Sequence, residues 1–237
     1  ALVGDNWRFG LAGGYGQDRV SENALGAFAD VDSYYIAAYG GTTVGPASLR
    51  FGAIHALQNV ESQRAIAFSG FTDSLKGDYD ASTSQMFAEG SWRFDLDRTH
   101  VEPYANLAYV NTRTDGFAEA GGAAALSSSS RHYEQVYSTV GFRVGHDFTL
   151  EDMAGKVTAG IGWRHAFGDM TPETDVSFAS GGVFTVASTG PARDAMLLDL
   201  SVGFDLTEKA SLSLGYNAVL GERIADQAAT APLGIKF

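Results

Sequence analysis

Residues 229–237 read Ala229-Thr230-Ala231-Pro232-Leu233-Gly234-Ile235-Lys236-Phe237, and the fold is decided by how this stretch is read. Successive side chains of a strand point to opposite sides, so Ala229, Ala231, Leu233, Ile235 and Phe237 share one face. Thr230, Pro232, Gly234 and Lys236 share the other. Taken alone, the stretch fits two environments. One is the last strand of a soluble sandwich; the other is a strand that closes a barrel, where no free edge has to be blunted by charge. The choice rests on whether the pattern recurs.

Moving outward from the terminus, it does. Leu212, Leu214, Tyr216 and Leu220 oppose Ser211, Ser213, Gly215 and Asn217; Met196, Leu198, Leu200, Val202, Phe204 and Leu206 oppose Leu197, Asp199, Ser201, Gly203 and Asp205. Val157, Ala159, Ile161 and Trp163 oppose Lys156, Thr158, Gly160, Gly162 and Arg164, and Val136, Val140, Phe142 and Val144 oppose Gln135, Tyr137, Thr139, Gly141 and Arg143. Val101, Pro103, Ala105, Leu107 and Tyr109 oppose Glu102, Tyr104, Asn106 and Ala108. Met86, Ala88, Trp92, Phe94 and Leu96 oppose Gln85, Glu89, Ser91, Arg93 and Asp95. Leu49, Phe51, Ala53 and Leu57 share a face, as do Trp7, Phe9, Leu11 and Tyr15 against Arg8, Gly10, Ala12, Gly14 and Gly16. Between residues 33 and 41 two registers compete, one pointing Tyr34 and Ile36 outward, the other Tyr35 and Tyr39.

These are ten strands of about the 9–11 residues that cross a bilayer at a tilt. Connections after residues 41, 95, 148 and 206 read as short. Those after 16, 58, 113 and 167 read as long, with 17–32, 59–78 and 114–131 as loops and GGAAALSSSS in the last as low-complexity composition. Short turns on one rim and long loops on the other are the rule of outer-membrane barrels. The fold expected is therefore all-β, a transmembrane antiparallel up-and-down β-barrel, with a soluble sandwich or lipocalin-like barrel as the rival.

Composition agrees. No apolar run approaches the 18 or so residues of a spanning helix, so a membrane would have to be crossed by strands. A mean hydropathy of -0.06 is compatible with strands whose second face meets a wet lumen. A net charge of -12 argues against nucleic acid as a partner. Cysteine is absent, which removes disulfides, thiolate metal sites and cysteine nucleophiles. The first residues carry no signal-peptide pattern.

If the apolar faces meet lipid, Gly, Ser, Thr and Ala line a lumen together with Arg8, Glu89, Arg93, Glu102, Tyr104, Arg143, Arg164 and Asp199. Small inward side chains leave space, and barrels of more than eight strands enclose it. Such a lumen holds a polypeptide segment, a helix being about 10–12 Å across. The charges pair with one another, with solvent or with the occupant, since an unpaired buried charge is costly.

Five stretches, with the terminal Phe237, resemble the C-terminal translocator domains of type V autotransporters of Gram-negative bacteria. They are FAEGSWRFDL from Phe87, VEPYANLAYV from Val101, GWRHAFGD from Gly162, PARDAMLLDLSVGFDL from Pro191 and LSLGYNAVLG from Leu212. The resemblance implies a twelve-stranded barrel with an α-helical linker in the pore, in the cell outer membrane with its long loops extracellular. It implies outer-membrane lipid, the chain's own N-terminal passenger and linker, and the barrel-assembly machinery as partners. It places the assembly signal on Leu233, Ile235 and Phe237, and lumenal positions on Glu89, Glu102, Tyr104, Arg143 and Arg164. WRFGLAGGYG, from Trp7, looks like the family's third strand. The chain is thus expected either to lack the pore helix and first two strands or to close with ten.

Motifs for enzymatic chemistry are missing: HExxH, GxSxG, P-loop and GxGxxG do not occur, and the five histidines have no metal-ligand spacing. The pairs Asp78/Asp80 and Glu151/Asp152 read as solvated loop charge, so no general acid or base is assigned. The resemblance also covers members that cut their own linker, for which Glu89 or Glu102 would be the carboxylates in reach. The leading expectation is a non-enzymatic, cofactor-free translocator that anchors and helps to export a passenger. The alternatives are a general diffusive pore and a surface adhesin barrel acting through its loops.

Overall fold

The structure is a computed structural model describing residues 2–3, 6–22, 26–150, 153–222 and 224–235. Ten long strands form one antiparallel meander: β1 (Trp7–Glu22), β2 (Ala27–Val44), β3 (Ala47–Phe68), β4 (Phe71–Trp92), β5 (Thr99–Thr114), β6 (Arg131–Leu150), β7 (Met153–Phe167), β8 (Asp194–Asp205), β9 (Ala210–Gly221) and β10 (Ile224–Thr230). Each pairs with its sequence neighbours. Leu2–Val3 adds a short piece beside β1, and Leu233–Ile235 continues β10 along the start of β9. Among the described residues no ladder joins β1 to β10, so from Phe9 onward the β1 edge, like the β10 edge, is unpaired.

The faces are inverted relative to a soluble protein. Trp92, Phe142 and Leu200 are 49%, 57% and 54% exposed, whereas Glu89, Glu102, Gln135 and Thr139 are buried on the opposite face. A soluble sandwich would bury the first set and solvate the second. An apolar outer surface around a polar interior is stable only where hydrocarbon meets the outside. The inner face is concave. Arg50 on β3 reaches Glu102 on β5 at 3.1 Å across the whole of β4, although strands two apart lie about 9.6 Å from each other in a flat sheet.

Pairing also settles the register of β2. Leu11 sits opposite Ala38, Gly13 opposite Ile36 and Tyr15 opposite Tyr34, so Tyr34 and Ile36 face outward. Tyr35 and Tyr39 face inward, where their rings occupy the space that a side chain at Gly14 or Gly10 would take. Tyr15 and Tyr34 pack with ring centroids 5.0 Å apart. Beyond them the outer face turns polar: Gln17, Arg19, Asp30 and Asp32 on β1 and β2, Asn59 and Glu61 on β3, Asp78 and Asp80 on β4.

Two expectations are corrected here. Residues 17–22, 27–32 and 59–78 are not irregular loops but continuations of β1 to β4, ladder-paired as far as Glu22 with Ala27 and Phe68 with Phe71. Asp78 and Asp80 accordingly lie on a strand, with Asn59 donating to Asp80 at 2.7 Å. Residues 114–131 are not structureless. Phe117–Ala118 and Leu126–Ser128 join Glu173–Phe178 and Val183–Ala187, from the connection after β7, in a separate four-stranded sheet. Alternation fails in all these stretches because neither side meets lipid, while backbone pairing needs no apolar face. Glu151 and Asp152 lie outside the described residues.

The four-stranded sheet is held to the inner side of the extended hairpins. Arg64 on β3 donates to both oxygens of Glu119, at 2.8 and 2.6 Å, and to the carbonyl of Ala124 at 2.7 Å. Asp73 accepts from the Ala124 amide at 3.0 Å, and Phe117 stacks on Tyr79 at 5.1 Å. Leu75 is fully buried. From β6, Tyr133 donates to the Asp169 carbonyl at 3.0 Å, and Arg131 hydrogen-bonds to Thr174. Both long connections therefore fold in over the rim instead of splaying away.

Candidate functional site: the lumenal wall

Pairing brings four lumenal side chains together. Arg50 sits opposite Glu89 across β3 and β4, and Glu102 opposite Arg143 across β5 and β6. Arg143 donates through both terminal nitrogens to Glu89, at 2.7 and 2.9 Å. Arg50 bridges Glu89 and Glu102 at 2.9 and 3.1 Å, and Arg143 comes within 3.6 Å of Glu102. Two carboxylates are thus held between two guanidiniums with no net charge. The bidentate fork fits the planar carboxylate and makes this the strongest contact of the set.

Arg143 also lies 3.8 Å above the Tyr104 ring. Tyr104 is itself buried, filling space beside Gly141 and Gly162; a Cβ at either glycine would fall within 2.8 Å of its ring or hydroxyl. The aromatic lies flat against bare backbone and holds Arg143 at a fixed height above the wall. Arg164, further along, lies 5.0 Å from the Tyr137 ring. Among the described residues no carboxylate pairs with Arg164, and its Nε is buried without a partner. Asp199 accepts from Asn217 at 2.5 Å. Glu89, Tyr104, Arg143, Arg164 and Asp199 line one lumenal cavity of about 450 Å³.

The remaining predicted residues are more scattered. Arg8 lines a second lumenal cavity, of about 850 Å³, together with Arg50, Glu89 and Arg143. Arg93 sits at the short-turn rim, where its guanidinium pairs with Asp95 at 2.6 Å, apart from the four-membered cluster. Leu233 and Ile235 are exposed on the outer face, aligned with Leu212 and Ala210 of β9. Phe237 lies outside the described residues. Arg50 was not among the predicted residues, although its place between outward Leu49 and Phe51 carried the signal.

A ten-stranded sheet with a hydrocarbon-facing exterior and a charge-paired, concave interior defines a membrane β-barrel that surrounds a polar passage. Over residues 1–217 the chain matches the Autotransporter beta-domain family, to which it belongs. Members are outer-membrane translocator units of Gram-negative bacteria that export passenger domains. Among curated proteins, two extracellular serine proteases of Serratia marcescens are similar. One is 30% identical over 237 residues and the other 29% over 234. The chain spans 22% of the length of each. Among solved structures, the translocator domain of autotransporter NalP from Neisseria meningitidis superposes with a TM-score of 0.77 at 17% identity, covering 100% of this chain and 76% of that one. The beta domain of the Bordetella autotransporter BrkA gives 0.56 at 16% identity, covering 98% and 92%.

Proposed function

We propose that this barrel anchors an N-terminal passenger in the outer membrane and assists its export, with a polypeptide segment lying in the lumen. The observation that carries this reading is the lumenal wall. Four charges neutralise one another, while among the described residues Arg164 has no carboxylate partner and Asp199 accepts from Asn217 without a cation beside it. An occupying segment with polar or charged side chains would complete them, since a buried charge without a partner is costly. The two unpaired edges, β1 and β10, are the places where further strands of the same chain would be added and the barrel completed. Leu233, Ile235 and Phe237 form the terminal signal offered to the barrel-assembly machinery. The long connections 115–130 and 168–193 face the cell exterior, and lipid covers the outer belt.

The inward folding of those connections disfavours a general diffusive pore. The test is single-channel recording on the full-length protein in a planar bilayer, before and after proteolytic removal of the passenger and the lumenal segment alone, with every strand of the barrel kept, paired with protease accessibility of the passenger on intact cells. The expected result is low conductance that rises on removal, with the passenger exposed at the surface. Full conductance from the start would support the pore, and a passenger left in the periplasm would refute export.

A further inference from the structure

The outer face carries one feature that an unspecialised lipid-facing wall does not need. Between the projecting side chains of Leu11, Ile36, Met86 and Tyr109 runs a trough of about 390 Å³, floored by Ala38 and Ala53. These two alanines are cross-strand partners on β2 and β3, and the large residues flank them on β1 and β4, with Leu11 opposite Ala38 and Met86 opposite Ala53. The trough is almost wholly apolar and lies just inside the level at which the outer face turns polar. At that end stand His55 and Ser84, hydrogen-bonded to each other at 2.9 Å.

Above it the polar features continue along one path. Asn111 donates to the Tyr109 hydroxyl at 3.2 Å and to Glu134 at 3.3 Å, and contacts a ring nitrogen of His132 at 2.5 Å. Arg113 follows on the same face of β5, cross-strand from His132; it is exposed, and among the described residues no carboxylate pairs with it. Arg113 lies four positions beyond Tyr109, about 13 Å along the strand.

We propose that this trough is a binding site for a phosphate-bearing lipid of the bilayer leaflet nearer the long-connection rim. One acyl chain lies on Ala38 and Ala53, the ester region meets His55 and Ser84, and the phosphate reaches Arg113. Position selects the occupant. The trough opens into the hydrocarbon belt, which excludes a water-borne ligand, and it ends at a polar rim with an unpaired cation, which is where a lipid headgroup sits. The inference rests on the membrane placement of the outer face and not on passenger export.

The test is native mass spectrometry of the full-length protein released from nanodiscs of phosphatidylglycerol, with diacylglycerol as the phosphate-free probe. A53F and A38F each fill the trough, and A105F places the same ring on the outer face away from it. Phosphatidylglycerol is expected to remain bound to the parent protein and to A105F. With A53F or A38F its retention falls about tenfold, the loss expected if about two methylenes are re-exposed. R113A weakens phosphatidylglycerol severalfold and leaves diacylglycerol unchanged. Equal retention by A53F and the parent would overturn the site, as would dimers of the parent that A53F dissolves, since a second copy would then be the occupant. Loss in A105F as well would reduce the retention to nonspecific belt lipid and also overturn it.

Discussion

The near halves of β1 to β4, towards the short turns, and their far halves are made of the same strands in the same ladder, yet they obey different rules. In the near halves an apolar outer face alternates with a small or charged inner one, because one side meets hydrocarbon. In the far halves, past Tyr15, Tyr34 and Leu57, both sides meet water or the small four-stranded sheet, and polar residues occupy either face. Backbone pairing is indifferent to the change. What holds a strand together and what makes it recognisable in a sequence are therefore separate matters.

The largest effect expected from this contrast comes from placing a charge on each half of the outer face. Leu200→Arg, in the hydrocarbon belt, should destabilise the barrel by about 2–4 kcal/mol in urea titrations in phospholipid vesicles. Gln17→Arg, on the same face beyond the boundary, should leave the midpoint unchanged. Equal losses would erase the boundary drawn at Tyr15 and Tyr34.

A smaller loss should follow when the lumenal cluster is opened. Glu89→Gln leaves Arg50 and Arg143 facing each other with only Glu102 between them. A fully buried pair broken in this way costs about 3–5 kcal/mol. Here solvent screening at Arg50, whose side chain is 48% exposed, lowers the expected loss to about 2 kcal/mol. The same titration checks it, and a second substitution, Arg143→Gln, should add less than its own single effect if the four residues act as a unit.

The smallest effect belongs to the far halves. Arg19 hydrogen-bonds to Asp30 through two nitrogens, at 2.6 and 2.8 Å, which holds the Asp30 carboxyl below its ordinary range. A carboxyl lowered in the folded state contributes above its unfolded pKa, near about 3.9, and that contribution fades as pH falls through the lower folded value. The protection of the Val20 and Ala29 amides, taken relative to their intrinsic exchange rates, should therefore fall only in strongly acidic solution. Asp30→Asn should abolish that pH dependence without moving the urea midpoint of the barrel.

The sequence made the near halves legible almost residue by residue. The outward sets of every strand but β2 were readable as alternation, and the inward charges came with them as the complement; in β2, tyrosines on both faces left two registers open until pairing with β1 decided between them. Arg50 could have been read the same way, between Leu49 and Phe51. The hairpin extensions and the four-stranded sheet were not legible, because Gly, Ala and Ser in 114–131 carry no period and their strands are fixed by partners some 50 residues away, as Ser127 is by Ser177. Nor did alternation say which charges would touch. Glu89 meets Arg143 because the wall curves, and curvature is a property of the whole sheet.

The length of β3 and β4 has a mechanical corollary. At about 3.3 Å per residue, 22 residues run for roughly 70 Å, more than twice the thickness of a hydrocarbon core. The Phe68–Phe71 pair, stacked at 5.1 Å at the tip, is thereby carried on a stiff two-stranded mast well clear of the lipid heads. On that side of the membrane the first thing met is a pair of stacked aromatic rings, ahead of the lipid.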